Sequence, residues 1–316
     1  MKKDTQPAVL ILAFLRQYGV KRLIESCLEN DVSRIYISID GPRSDSDRSI
    51  QLEMLEIIRE LQATTSTQIF VQKHKVNLGV GVGVISGLDW FFSHEYSGHI
   101  LEDDLQVDSN FFIFSRLALL EFANHESVKM ISGSQLIPIA SRGKDVHWSN
   151  YPMIWGWSSW SNKWKEMKDG LLQRKSFVCF QKNSTVNNFW AIGANRVLDG
   201  KVDTWDTPLA AEFRRRKWIC IIPPSNLVTN SGDDLQAFHT KGDTFGLNLP
   251  VSKLFPTLDF YSLSSPEYVN TYNKQLEKIV FKVKKRHLFL PLYSPLRDRN
   301  HLMLKKAPLV DRLVQL

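Results

Sequence analysis

Residues 99–105 read HILEDDL, an apolar step that runs into three consecutive carboxylates, Glu102, Asp103 and Asp104. Like charges beside a hydrophobic strand repel one another and resist desolvation, so the stretch calls for a compensating group. Its place in the chain decides the fold. Upstream, AVLILAF (8–14) has the apolar, branched composition of a buried strand, and VKRLIESCLEN (20–30) sets Val20, Leu23, Ile24 and Leu28 on one helical face. RIYISID (34–40) is a second strand ending in the turn signal DGPRSDSD, and Ser49 to Leu61 returns to helical spacing. QIFVQ (68–72) is a third strand, GLDWFF (87–92) sits in a helix, HIL (99–101) is a fourth strand, and SNFFIFSRLALLEFA (109–123) is a fourth helix. Strands alternating with helices predict an α/β protein with a mostly parallel central sheet flanked by helices. Ligands of such sheets gather at the carboxyl ends of the strands. Arg16, Asp40 and the Glu-Asp-Asp triplet all fall at such ends.

Composition narrows the classes. The chain has 316 residues, 43% of them apolar, with 18 Phe, 9 Trp and 8 Tyr, enough to bury a sizeable core and exclude a disordered protein. Three scattered cysteines, Cys27, Cys179 and Cys220, fit neither a disulfide framework nor a cysteine zinc site, and a reducing cytoplasm is the expected compartment. The apolar run near the N-terminus is too short for a signal sequence or a membrane span. The net charge of +7 is concentrated at the C-terminus: residues 272–316 hold eleven Lys or Arg against three Asp or Glu. Cations interleaved with Leu, Phe and Tyr suit either a peripheral contact with anionic lipid on the inner face of the membrane or a solvated arm packed on the domain. Nucleic acid is not the expected partner, because acids occupy the sheet's crevice and no nucleic-acid motif is present.

Four further stretches bear on chemistry. Glu102-Asp103-Asp104 reads as a solvated turn or as carboxylates that, with substrate phosphates, hold Mg²⁺ or Mn²⁺. HWSNYPMIWGWSSWSNKW (147–164) reads as a binding wall or as core. LGVGVGVISG (78–87) fails the dinucleotide fingerprint, lacking a strand before its first glycine and carrying Val84 where the third glycine belongs, so it is expected to be a flexible connection near a ligand. In TWDTPL (204–209), Asp206 lies between Trp205 and a helical run. A carboxylate beside an indole is partly desolvated and suited to accept a proton, while the following Thr207-Pro208 equally suits Asp206 as a helix cap.

The ordered series of Arg16, ISIDGPR (37–43), NLG (77–79) with GLDWFF, ILEDDL (100–105), YPMIWGWSSW (151–160), TWDTPL and NLVTNSG…FHT (226–240) resembles bacterial GT-A glycosyltransferases of polysaccharide gene clusters. It is distantly similar to the N-acetylglucosaminyltransferase I family. The resemblance spans roughly residues 8–240 and implies a GT-A-like nucleotide-diphospho-sugar transferase fold. It implies a catalytic domain over 1–245, divided into a nucleotide-sugar half (1–132) and an acceptor half (133–245), followed by a basic extension (246–316). It implies that Asp40 binds the base, Arg16 the nucleotide, Asp103 ribose or metal, and that Glu102 faces the donor sugar. Asp104 would ligate Mn²⁺ or Mg²⁺ with His239 approaching it, Trp155, Gly156 and Trp157 would line the sugar subsites, and Asp206 would be the base of an inverting transfer. The implied partners are a UDP-sugar donor and a saccharide or lipid-linked saccharide acceptor. Nucleotide-sugar synthesis by a nucleotidyltransferase is the rival reading; against it, AFLRQYGVKRL (13–23) after the first strand has a single glycine instead of a glycine-rich loop.

Overall fold

The computed structural model describes residues 6–137, 144–172, 184–230 and 257–284, together with Arg312. The first half alternates as expected: β1 (Ala8–Ala13), α1 (Gln17–Glu29), β2 (Arg34–Ile39), α2 (Asp45–Thr64), β3 (Gln68–Lys73), α3 (Gly79–His94) and β4 (Ser97–Glu102). After β4 come β5 (Leu105–Val107), α4 (Ser109–Glu121), β6 (Val128–Ser132), β7 (Asp145–Ser149), β8 (Trp157–Trp160) and α5 (Ser161–Leu172). The rest comprises α6 (Thr185–Leu198), α7 (Asp206–Arg216), β9 (Ile219–Ile222), β10 (Val228–Asn230), β11 (Asp259–Leu263), α8 (Pro266–Gln275) and a π-helical turn, Leu276–Val280.

Nine strands form one sheet in the order β11-β7-β9-β6-β8-β4-β1-β2-β3, and β5 pairs with β10 in a separate antiparallel ribbon. β3, β2, β1 and β4 run parallel; β8 is inserted antiparallel between β4 and β6. The fold is therefore α/β with a mixed, mostly parallel sheet. Alternate side chains of each strand feed two cores, as the pleat requires. Val9 and Ile11 of β1 pack with Leu23 and Ile24 of α1, Met54 of α2 and Phe111 of α4. Leu10 and Leu12 point the other way, toward Ile85 and Leu88 of α3, Trp164 of α5, Trp190 of α6 and Phe213 of α7. Strands covered on both faces read as apolar runs, which is why AVLILA and RIYISI stand out in the sequence.

Two features depart from the sequence expectations. LGVGVGVISG is not a loose connection: from Gly79 it is the first turns of α3. Its glycines cost helix propensity, but the carboxylate of Asp40 accepts the backbone N–H of Leu78 and Gly79 and so satisfies donors that a helix start leaves open. Secondly, residues 257–284, grouped by sequence with the basic extension, are built into the sheet's far edge. β11 runs parallel to β7, Trp148 Nε1 donates to the Phe260 carbonyl, and Asn273 Oδ1 accepts from Ser149 Oγ and the Asn150 N–H. Most of the basic tail, and Cys179, lie outside the described residues; Cys27 and Cys220 are buried free thiols. No helix among the described residues is long and apolar enough to cross a membrane.

Candidate active site

The carboxyl ends of β1, β2 and β4 share one edge of the sheet, and the acidic turn 102–104 closes it. Asp103 turns back into the molecule. Its carboxylate accepts the Phe14 N–H at 2.8 Å and the Arg16 N–H at 3.4 Å, and pairs with the Arg16 guanidinium at 3.2 Å. Burial pushes its pKa above the ordinary carboxylate range, against the opposing pull of Arg16 and the Phe14 N–H. α1 approaches so closely here that a Cβ on Gly19 would lie 1.9 Å from the Asp103 carbonyl oxygen, so this position admits only glycine. Arg16 and Asp103 thus lock the β1–α1 turn to the end of β4.

Asp40, at the end of β2, is equally occupied. It accepts the N–H of Gly41 (2.8 Å), Leu78 (2.8 Å) and Gly79 (3.0 Å) and the Asn77 side-chain amide (2.9 Å). Burial raises its pKa, and these backbone donors oppose the rise. The NLG motif is therefore the partner of ISID, joined by one carboxylate across 37 to 39 positions of chain.

Glu102 is different. Its Oε1 is sealed from solvent with no hydrogen-bond donor among the described residues. Its pKa stands well above the ordinary value, through burial first and then the charges of Asp104, Asp103 and Asp206. That electrostatic influence places α7's first residue in the field of the β4 turn, although the two are about a hundred positions apart. Asp206 occupies the first helical position instead of the cap before it, and its Oδ1 accepts from the hydroxyls of Thr204 and Thr207 and from the Thr207 N–H. Among the described residues no donor reaches its other oxygen.

Asp206 opens onto a cavity of about 370 Å³ whose walls include Trp155, Trp190, Met153, Ser134 and Phe281. The tryptophan-rich segment divides here. Trp155 faces the cavity, whereas Trp157 is buried in β8 and stacks on Trp205, with ring centroids 5.8 Å apart. Gly156 between them has φ +61, the left-handed turn that redirects the chain from cavity wall to strand. Its carbonyl accepts the Gly133 N–H, and that of Trp155 accepts the Ser134 hydroxyl.

Asp206 and Trp155 thus share the cavity wall, and the charge of Asp206 reaches Glu102, while Glu102 and Asp104 are not among the residues lining that cavity; Arg16, Asp40 and Asp103 tie the neighbouring strand ends together. His239 lies outside the described residues. Sequence reasoning missed Trp190 on α6, Val280 at the end of the π-helical turn, and Phe281 and Lys282 after it; nothing local marks them, since only packing brings them to the cavity.

Among the described residues no three His, Cys, Asp or Glu side chains group closely enough to cage a metal ion. The crowded Glu102 and Asp104 nonetheless fit a hard divalent cation of the kind held by one or two carboxylates plus substrate phosphates, and Glu102 Oε1 is a buried acceptor that no donor among the described residues reaches.

No protein-family model and no curated protein sequence matches the chain. Among solved structures, HddC from Yersinia pseudotuberculosis is similar at 12% identity with a TM-score of 0.28, over 45% of this chain and 59% of its own. The chain thus spans well under two thirds of HddC's length. A UDP-glucose pyrophosphorylase complexed with UDP-glucose is similar at 8% identity with a TM-score of 0.36, over 69% of this chain and 90% of its own. A mannose-1-phosphate geranyltransferase from Thermus thermophilus is similar at 9% identity with a TM-score of 0.34, over 69% and 74%. At such identities and TM-scores these likenesses bear on neither substrate nor chemistry, which rest on the residues described above.

Proposed function

We propose that the chain is a GT-A-type glycosyltransferase that moves a hexose or N-acetylhexosamine from a UDP-sugar to a hydroxyl of a saccharide or lipid-linked saccharide. The observation that carries this reading is Asp206: a carboxylate oriented by Thr204 and Thr207, opening onto an aromatic-walled cavity and within the electrostatic field of the β4 turn. Aromatic faces suit sugar rings, and an oriented carboxylate suits an acceptor hydroxyl. Asp206 would take the hydroxyl proton as the acceptor oxygen forms its bond to the anomeric carbon, and the bond from that carbon to the diphosphate breaks with inversion. Asp104, with Glu102 beside it, would hold Mn²⁺ or Mg²⁺, which when bound supplies positive charge to the leaving diphosphate. Arg16, Asp40 and Asp103 serve the nucleotide by holding the rim in place.

Nucleotide-sugar synthesis is the second reading, and it matches the activity in the name of one structural neighbour, the pyrophosphorylase. Against it stands the β1–α1 connection, only three residues long and occupied by the Arg16–Asp103 lock, which leaves no glycine-rich loop there. Screening UDP-, GDP- and dTDP-sugars with Mn²⁺ separates the two. Release of UDP from a UDP-sugar supports transfer. Pyrophosphate formed from a nucleoside triphosphate and a sugar 1-phosphate would overturn it.

A further inference from the structure

The cavity beside Asp206 has a wall from an unexpected place. The chain leaves α8 through the π-helical turn Leu276–Val280, closed by the Phe281 N–H donating to the Leu276 carbonyl at 2.9 Å. Such turns recur at functional sites. This one is held from three sides. Glu277 accepts the Tyr151 hydroxyl at 2.6 Å and pairs with Arg214 at 3.5 Å, Phe281 packs on the rings of Tyr151 and Trp190 at 4.9 Å each, and Leu276 is fully buried. The anchored turn delivers Lys282 to the cavity wall, its side chain exposed and its φ of +51 the left-handed conformation of a residue just past a helix end. Lys217 ends α7 in the same conformation, so the φ of Lys282 is that of a helix end, and what sets Lys282 apart is its place on the cavity wall.

Lys282 is the one basic residue among the described residues that line the cavity, where most neighbours are apolar or aromatic. Among the described residues no carboxylate pairs with it, Asp206 included, although both border the same space. We infer that Lys282 is a specificity-determining residue of the acceptor side, receiving an anionic group, phosphate or carboxylate, on an acceptor whose ring lies against the aromatic wall. The inference rests on the reading of this cavity as the acceptor site. It assigns to the C-terminal segment a part of substrate selection.

Indole fluorescence reads occupancy directly, because Trp155 and Trp190 line the cavity. The full chain, saturated with UDP and Mn²⁺ to fill the donor side, is titrated with methyl β-glucoside, methyl β-glucuronide and methyl β-glucoside 6-phosphate. Wild type should bind at least one anionic probe about ten-fold more tightly than the neutral one, equivalent to about 1.4 kcal/mol. Lys282→Met should abolish that ratio and Lys282→Arg should keep it; whichever anionic probe shows the ratio identifies the group as carboxylate or phosphate. A wild-type ratio near one, no binding of any probe, or equal weakening of all three by Lys282→Met overturns the inference. Failure of UDP to bind would instead break the transferase reading, and the charged-to-neutral ratio would still be read without UDP.

Discussion

The two sides of the crevice solve the same electrostatic problem differently. On the β1–β2 side, Asp40 and Asp103 are buried carboxylates whose oxygens are filled by backbone N–H groups, Asn77 and Arg16. On the β4–α7 side, Glu102 bears its burial and the charges of Asp104, Asp103 and Asp206, and among the described residues no donor reaches its buried Oε1. Filled acceptors rigidify a fold, while an unfilled one is a standing cost that a ligand can remove. The first side is held by its own hydrogen bonds; the second carries charge that those bonds do not meet.

The sharpest way to break that division is Asp206→Asn. The amide keeps an oxygen for the Thr207 N–H but cannot take a proton, so transfer should slow by about 10² to 10⁴-fold while the urea midpoint stays within error. Unchanged turnover in a folded variant would remove Asp206 from the mechanism. Asp103→Ala should show the reverse signature. Removing one partner of a buried, hydrogen-bonded pair costs about 3–5 kcal/mol, read by urea unfolding. A loss under about 1 kcal/mol would return Asp103 to the ligand-binding side.

Glu102→Gln sharpens the contrast with a gain. Removing the group that burial and three neighbouring carboxylates oppose should stabilise the metal-free protein by about 1–2 kcal/mol and weaken UDP binding in the presence of Mn²⁺. Destabilisation would show that Glu102 belongs with the filled carboxylates. The most gradual effect, spread over several pH units, is a pH dependence on the same strand. Burial lowers the His99 pKa to about 3, so below the ordinary 6.5 the unfolded chain takes up a proton that the folded one refuses. Stability from His99 is therefore present above pH 6.5 and is lost as pH falls toward 3. The advantage of wild type over His99→Gln should shrink by about 1 kcal/mol per pH unit in that window, the sign opposite to that of a buried acid. A flat difference would mean that His99 is hydrated in solution.

Much of this molecule is legible residue by residue. The first four strands and their helices announce themselves through apolar runs and helical spacing, because strands covered on both faces leave little room for polar residues. Asp206 stands out as well, an acid between Trp205 and a helical run, whereas the tryptophan-rich segment reads equally as wall or core. The glycine-rich segment reads locally as a loop because its helix start depends on Asp40, some 38 positions away. Trp155 and Trp157 are indistinguishable as letters; the positive φ of Gly156 separates cavity wall from core.

The α/β class and the strand-end placement of the acids follow from local pattern, since periodicity and turn residues act over a few positions. Which acid of HILEDDL the fold's own donors satisfy does not. Asp103 is satisfied by groups 87 to 89 residues away, and Glu102 feels Asp206 from the far half of the chain. Hydrogen bonding and charge repulsion depend on distance in space, so three adjacent carboxylates acquire different roles only once the sheet has closed around them.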